Sequence, residues 1–332
     1  MKTLAEYAEL DVNVMNKGVQ NWLYKYDPVL HFLGLRTISG NAHVYNVKDE
    51  RAGGTWIQPT DTIPEKEYGS AQRTAVLKEV VNDVFVPHFN IDTNASQDVL
   101  AIEIEEGIRD LKHSFNEAFI FGGTTTTSST NEPEGLLKMC AEFESTTTTD
   151  LDALNNSQVI ANHATSGVLL LSKIDELIDA VKPEGGQKVI LLMSRGTRRK
   201  LNVLARAQGN NLEIKGTGGT LGWQVPYYGE AMVLVSDYMR DNLTDSTTSV
   251  FDAAAYTKAT TSGAGYDNSV IIACKFSDNG VTGLQNGTLQ SIKVAEDAAS
   301  HDAVQWRFKW NVGCACFDKF SLAVLTGINN AT

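Results

Sequence analysis

Between residues 3 and 26 the apolar side chains fall at Leu4, Ala8, Val12, Met15, Val19, Trp22 and Tyr26, in steps of three and four. Steps of that size lie on one stripe of an α-helix. The spacing predicts an amphipathic helix ended at Asp27-Pro28, because proline disfavours helix for the residue before it. A stripe at the start of a chain, ahead of any core element, needs a covering surface in its own domain or in a neighbour. After Gly40 the period changes to two. His43-Val44-Tyr45-Asn46-Val47 reads as a strand, and so does the run from Val76 to Val86, where Val76, Val80, Val84 and Val86 share a face with Lys78 and Asn82 between them.

Between these strands lies ERAGGTWIQPTDTIPEKEYGSAQ (50–72), with almost no apolar periodicity beyond Trp56 and Ile57 and with breaks at Gly53, Gly54, Pro59 and Pro64. The pattern puts it at the tip of a hairpin whose limbs reach roughly 30 Å at ~3.3 Å per residue. An isolated hairpin is marginal in water and needs a surface beneath it. It is either an arm toward another subunit or a long surface hairpin. Residues 96–121 are the strongest helix: Ser96 is the expected cap, Asp98 suits the N-terminal end, and Ile104, Ile108, Leu111, Phe115 and Ala118 or Phe119 form the stripe. Gly122-Gly123 ends it, and the polar run TTTTSSTNEPEG follows.

The middle of the chain reads as an α/β unit. A helix is expected over 166–182 (Val168, Leu171, Ile174, Leu177 or Ile178, Val181), then the strand VILLM (189–193), then a helix capped by Ser194 and running through Leu201 and Leu204. GTGGTLG (216–222) reads as a flexible turn, Met232–Val235 as a strand, and the Thr/Ser/Ala/Asp-rich stretch 241–268 as a surface insertion. Val270–Phe276 restarts the sheet. Trp306, Phe308, Trp310, Val312, Cys314 and Cys316 alternate with smaller or polar residues along one long strand, and FSLAVLTGI (320–328) is a buried one.

Composition narrows the class. The 332 residues are 42% hydrophobic and 20% charged, enough for a sizeable core. The formal net charge of −12 makes the chain a poor general nucleic-acid binder. Cys140, Cys274, Cys314 and Cys316 show neither zinc-ligand spacing nor a secreted disulfide framework, so a reducing cytosol is the expected compartment. The N-terminus lacks the apolar core of a signal peptide, and no run of about 18 apolar residues predicts a membrane span.

No residue pattern marks a catalytic or ligand site. Cys314 and Cys316 share the apolar face of a strand, which raises thiol pKa and blunts reactivity, and no His or Cys completes a metal site. GTGGTLG lacks the Lys-Ser/Thr of a phosphate loop. His31, His43, His88, His113, His163 and His301 are scattered. RGTRRK (195–200) with Arg206 is the basic cluster: a solvated helix start, with nucleic acid or an acidic neighbour as the other readings. No catalytic residue, metal or cofactor is expected.

The order of elements carries more. YDPVLHFLGLRTISGNAHVYNV (26–47), GGTWIQPTDTIPEKEYGSAQ, residues 84–123, the NEPEGL stretch at 131–136, KVILLMSRGTRRKLNVL, LGWQVPYYGEAMVLVS, VIIACKF and DKFSLAVLTGI together resemble, in this order, the major capsid protein of tailed bacteriophages with the Hong Kong-97-type fold. The resemblance covers nearly the whole chain and implies an α+β fold. Its parts would be an N-terminal arm (1–38), an extended loop (39–88), a peripheral domain with the spine helix (89–140), an axial domain (141–289) and return strands (290–332). It implies a structural protein whose hexamers and pentamers close into an icosahedral virion shell around double-stranded DNA, assembled in the host cytoplasm. The expected contact residues are Trp56, Ile57, Pro64, Lys66 and Tyr68 at the loop tip and Trp22 and Tyr26 in the arm, each meeting another copy. Scaffolding, portal and decoration proteins are the further partners, DNA is held without sequence specificity, and no membrane is involved. Many relatives begin with a scaffolding segment removed by a protease. Here Met1 opens almost directly into the arm helix, which implies a separate scaffold or none. Some relatives form Lys–Asn cross-links; Lys66 is the candidate donor here, but neither an acceptor Asn nor the assisting Glu is matched, and no cross-link is expected. The alternatives are an encapsulin-like nanocompartment shell and, from another class, a cytosolic α/β enzyme using GTGGTLG and Arg195–Arg206.

Overall fold

The computed structural model describes residues 28–48, 56–58, 62, 70–93, 98–122, 131–143, 157–162, 167–181, 188–207, 213–218, 223–239, 268–294 and 302–329. The helix expected over 3–26 and nearly all of the 241–268 stretch lie outside them. In chain order the first elements are α1 (Pro28–Phe32), β1 (Leu35–Thr37), β2 (Ala42–Lys48), β3 (Ser70–Val76), β4 (Lys78–Pro87), α2 (His88–Thr93), α3 (Val99–Phe121) and α4 (Leu136–Ala141). Next come β5 (Val159–Ala161), α5 (Leu171–Ala180), β6 (Ile190–Met193), α6 (Arg195–Ala207), β7 (Glu213–Gly218), β8 (Trp223–Tyr228) and β9 (Ala231–Val235). The chain closes with β10 (Asn268–Cys274), β11 (Val281–Gln285), β12 (Gln290–Lys293), β13 (Ala303–Cys316) and β14 (Leu322–Asn329).

The strict alternation of the Trp306–Cys316 run builds the backbone of a five-stranded sheet. One edge of β13 pairs antiparallel with β4, and the other takes β12 and then β11, to which β1 adds in parallel. Even-numbered residues of β4 and β13 turn inward: Val84, Val86, Phe308, Trp310 and Val312 are buried. The outward residues carry ion pairs, Asp83 with Arg307 and Glu79 with Lys309, and the Arg307 guanidinium holds the Asp83 carboxyl below its ordinary pKa. Against the inner face lies α3, whose ring of Phe115 sits 4.9 Å from that of Trp310.

A seven-stranded sheet, ordered β5-β14-β10-β6-β9-β8-β7, forms the second layer. Its central strands are buried on both faces, which is why they read as continuous apolar runs. One face (Ile190, Leu192, Val270, Ile272, Leu322, Val324) joins α3, α4 and the first sheet in one core, and the other (Leu191, Met193, Ile271, Ala273, Leu325) receives α5 and α6.

The structure corrects several expectations. The return limb of the hairpin is Ser70–Val76 and not the Val76–Val86 run, because β2 pairs with β3 from Ala42↔Val76 to Lys48↔Ser70 while β4 turns away to β13. The facing switches at that junction: Ala75 and Leu77 are buried and Val76 is exposed, so Val76 does not share the face of Val80, Val84 and Val86. The cap of α3 is Asp98, not Ser96, its carboxylate accepting from the Ala101 amide at 3.1 Å. Helix α5 begins at Leu171 and not at 166, because the Asn162 side chain donates to the carbonyls of Gly167 and Val168 and accepts from the Leu170 amide, which holds these residues out of helix. Residues 216–218 of GTGGTLG are not turn: they belong to β7, with Gly218 opposite Trp223.

Candidate functional site

The hairpin β2–β3 forms a two-stranded sheet of its own. Each strand has seven residues, so the paired part spans roughly 23 Å at ~3.3 Å per residue. Its period-two pattern sorts the side chains. Tyr45, Val47, Ala75 and Leu77 face the body and are buried in a cluster with Leu284 and Ala315, against Ile38 and Phe317. Tyr45 meets the Phe317 ring at 5.0 Å, and burial together with the nearby Cys316 and Cys314 pushes its hydroxyl pKa up. On the opposite face Val44 and Val76 are exposed.

Arg73 fixes the base. It lies on the body-facing side of β3, donates to the Glu142 backbone carbonyl, approaches the Glu142 carboxylate at 3.8 Å, and holds its guanidinium 5.4 Å from the centre of the Phe143 ring. Burial raises the Glu142 pKa, opposed by Lys138 and Arg73 and reinforced by Glu134. Lys138 bridges Glu134 at 3.0 Å and Glu142 at 3.8 Å along α4. The backbone adds a bond from the Leu77 amide to the Asn41 carbonyl at 2.8 Å, and the Asn286 side chain donates to the Gly40 carbonyl at 3.1 Å.

Two of the expected contact residues are described. Trp56 is fully exposed (101% of its reference area) and Ile57 is 45% exposed. Pro64, Lys66, Tyr68, Trp22 and Tyr26 lie outside the described residues. Sequence reasoning misses Arg73, Glu142 and Phe143. No local signal marks them, since Arg73 and Glu142 are 69 positions apart and meet only through the tertiary fold.

The chemical side is bare. Among the described residues no group of three or more His, Cys, Asp or Glu is placed to hold a metal ion, and no described helix is long and apolar enough to cross a membrane. The four cysteines are buried, and none is joined in a disulfide. Burial pushes Cys316 up to about 12 and Cys314 and Cys274 up as well, as expected for a strand face inside a core.

What this arrangement offers is shape: a braced hairpin, a long helix across a sheet, and a two-faced second sheet. The model of the SU10 major capsid protein family matches residues 69–265, more than half the chain. The chain belongs to that family. It is a major capsid protein of a tailed phage, with its place in the virion capsid, and it self-associates into capsid shells; the role this implies is structural. No curated protein matches the chain. Solved structures give the fold of the capsid protein. The capsid of a native GTA particle is similar with a TM-score of 0.62 at 15% identity, over 90% of this chain and 89% of that one. The holo-SrpI encapsulin complex from Synechococcus elongatus PCC 7942 is similar with a TM-score of 0.61 at 13% identity, over 92% and 89%. A structure from Mycobacterium phage Bobi is similar with a TM-score of 0.56 at 16% identity, over 91% and 90%. The fold is thus the α+β Hong Kong-97-type capsid fold expected from sequence.

Proposed function

We propose that this capsid protein closes hexamers and pentamers into an icosahedral shell around double-stranded DNA, with the hairpin as the arm that laps a neighbouring copy. The carrying observation is the asymmetry of the hairpin: one face is pinned to its own subunit through Tyr45, Val47, Arg73 and Leu77, while Trp56 at the tip is exposed to its full area. A fully exposed Trp is an unburied anchor of the kind that dominates interfaces. In this reading Trp56, Ile57, Pro64, Lys66 and Tyr68 dock on the next copy, and Trp22 and Tyr26 in the arm do the same. The parts are the arm (1–38), the extended loop (39–88), the peripheral domain (89–140), the axial domain (141–289) and the return strands (290–332). A net charge of −12 suits a container for a polyanion, since a basic wall would hold it against packing and release. Scaffolding, portal and decoration proteins complete the particle, which assembles in the host cytoplasm.

The test is negative-stain electron microscopy of the purified chain, alone and with a scaffolding partner, beside Trp56→Ala/Ile57→Ala. Closed shells or capsomer rings from the wild type, and free subunits from the variant, are the expected result. A wild type that assembles in neither condition ends the proposal. The likeness to an encapsulin supports a second reading, a nanocompartment loaded with protein. Particles that hold protein cargo and no DNA when purified from infected cells would select it.

A further inference from the structure

The basic run that the shell reading leaves unused lies on α6, and the structure gives it a definite shape. Ser194 caps the helix, its hydroxyl accepting from the Thr197 amide at 3.1 Å, and the Thr197 hydroxyl lies 2.9 Å from that of Ser269 on β10. Leu201 and Ala205 face the sheet. This phase sends Arg198, Arg199 and Arg206 to solvent, with Lys200 half-buried beside them. Arg195 is held by Asp237 in a two-pronged ion pair, but among the described residues no ion pair engages Arg198, Arg199, Lys200 or Arg206. In the middle of the basic stripe stands Val203, 60% exposed.

The neighbouring helix on the same sheet face has the opposite character. Ile174 and Leu177 anchor α5 in the same apolar cluster as Leu201, and its outer side shows Asp175, Glu176 and Asp179. Lys173 pairs with Glu176, and Tyr228 is hydrogen-bonded to Asp175. Just before α5, Val168 is 51% and Leu170 38% exposed.

We propose that this face docks on a second copy of the chain, the basic stripe of α6 meeting the acidic side of α5, with Val203 of one copy covered by the Val168–Leu170 edge of the other. The proposal rests on the shell assembly above. Two observations choose a second copy over nucleic acid. The face carries both signs of charge, so α5 repels the polyanion that α6 would attract. Each charged patch also encloses or adjoins an exposed apolar side chain, which gains from burial against protein and nothing from a phosphate backbone. The two patches lie on adjacent helices of one face, so the contact joins unlike patches of two copies, α6 of one to α5 of the other.

The test compares shell yield by sedimentation and microscopy for wild type, Arg198→Glu/Arg199→Glu, Glu176→Lys/Asp179→Lys and the four-fold combination. Each double reversal is expected to lower yield by about tenfold or more, the equivalent of losing a few interfacial ion pairs, with the subunit's circular dichroism and melting temperature unchanged. The combination, with both signs exchanged, is expected to restore shells. Should the glutamates disturb folding, Arg198→Gln/Arg199→Gln is read in their place. Wild-type yield from either double variant, or no recovery in the combination, overturns the proposal. So do normal shells from Arg198→Glu/Arg199→Glu that have lost their nucleic acid, which would assign α6 to the genome. A wild type that forms no shells either alone or with a scaffolding partner overturns the assembly reading and this contact with it, whereas a failure confined to the variants' pattern counts against the contact alone.

Discussion

Gly107 sits where α3 crosses β4, and a methyl group there would meet Cγ2 of Val84 at 2.3 Å. The Asn82 side chain donates to the Gly107 carbonyl at 2.8 Å, so helix and strand are held at contact distance by a missing Cβ. Alanine favours a helix by about 1 kcal/mol over glycine, but overpacking against a buried β-branched side chain costs about 1–3 kcal/mol. The steric term wins, and Gly107→Ala is expected to destabilise the subunit in urea titration, with part of the loss recovered by Val84→Ala. A stabilised Gly107→Ala would mean that the two elements separate freely. Glu142 makes the second residue-scale prediction. Its pKa is raised from 4.5 on folding, chiefly by burial. The native state then holds the proton more tightly, so the stability from this group is greatest below the unfolded value and declines as pH rises through the native one. Stability of the wild type relative to Glu142→Gln is therefore expected to increase as pH falls from neutral toward the unfolded value. A difference that ignores pH would place this carboxyl in water.

At the scale of elements, β2 and β3 pair with each other in a sheet of their own among the described residues, and Arg73 ties that hairpin to the end of α4. Replacing Arg73 with Met keeps the aliphatic stem but removes the contact to Glu142. Amide exchange is expected to speed up across Ala42–Lys48 and Ser70–Val76, with β13 and β14 unchanged. Uniformly faster exchange would show that Arg73 supports the whole fold. This region also shows what periodicity can and cannot say. The strands on both sides of Leu77 are legible from alternation, but their partners are not: a period of two marks a face without naming the strand beside it. Only the switch from inward Ala75 and Leu77 to inward Val80 and Val84 separates the hairpin limb from the sheet strand. The turn from α3 to α4 behaves similarly. Its Pro-x-Gly motif stands out in the sequence, yet the reason for Gly135 is tertiary: a Cβ there would lie 2.5 Å from the Gly122 nitrogen, and the Gly135 amide donates to the Gly122 carbonyl at 2.8 Å.

At the scale of the molecule, α3, α4, the first sheet and one face of the second sheet share a single core, in which all four cysteines are buried. Their thiols are expected to resist a maleimide in native subunits and shells and to react fully in denaturant, as read by intact mass. Partial native labelling would reveal an opening of the core. Most elements of this fold can be read along the chain because they depend on spacing within short segments. Side chains alternate with a period of two along β13, with burial following through its middle (Arg307–Val312), and burial steps by three and four along the Ile108–Phe119 stripe of α3. The hairpin's true partner, the clasp of Arg73 on Glu142, and the meeting of an acidic and a basic helix on one sheet face join residues far apart in sequence. Those contacts exist only once backbone pairing has set which strands are neighbours, and there the tertiary structure decided what local pattern left open.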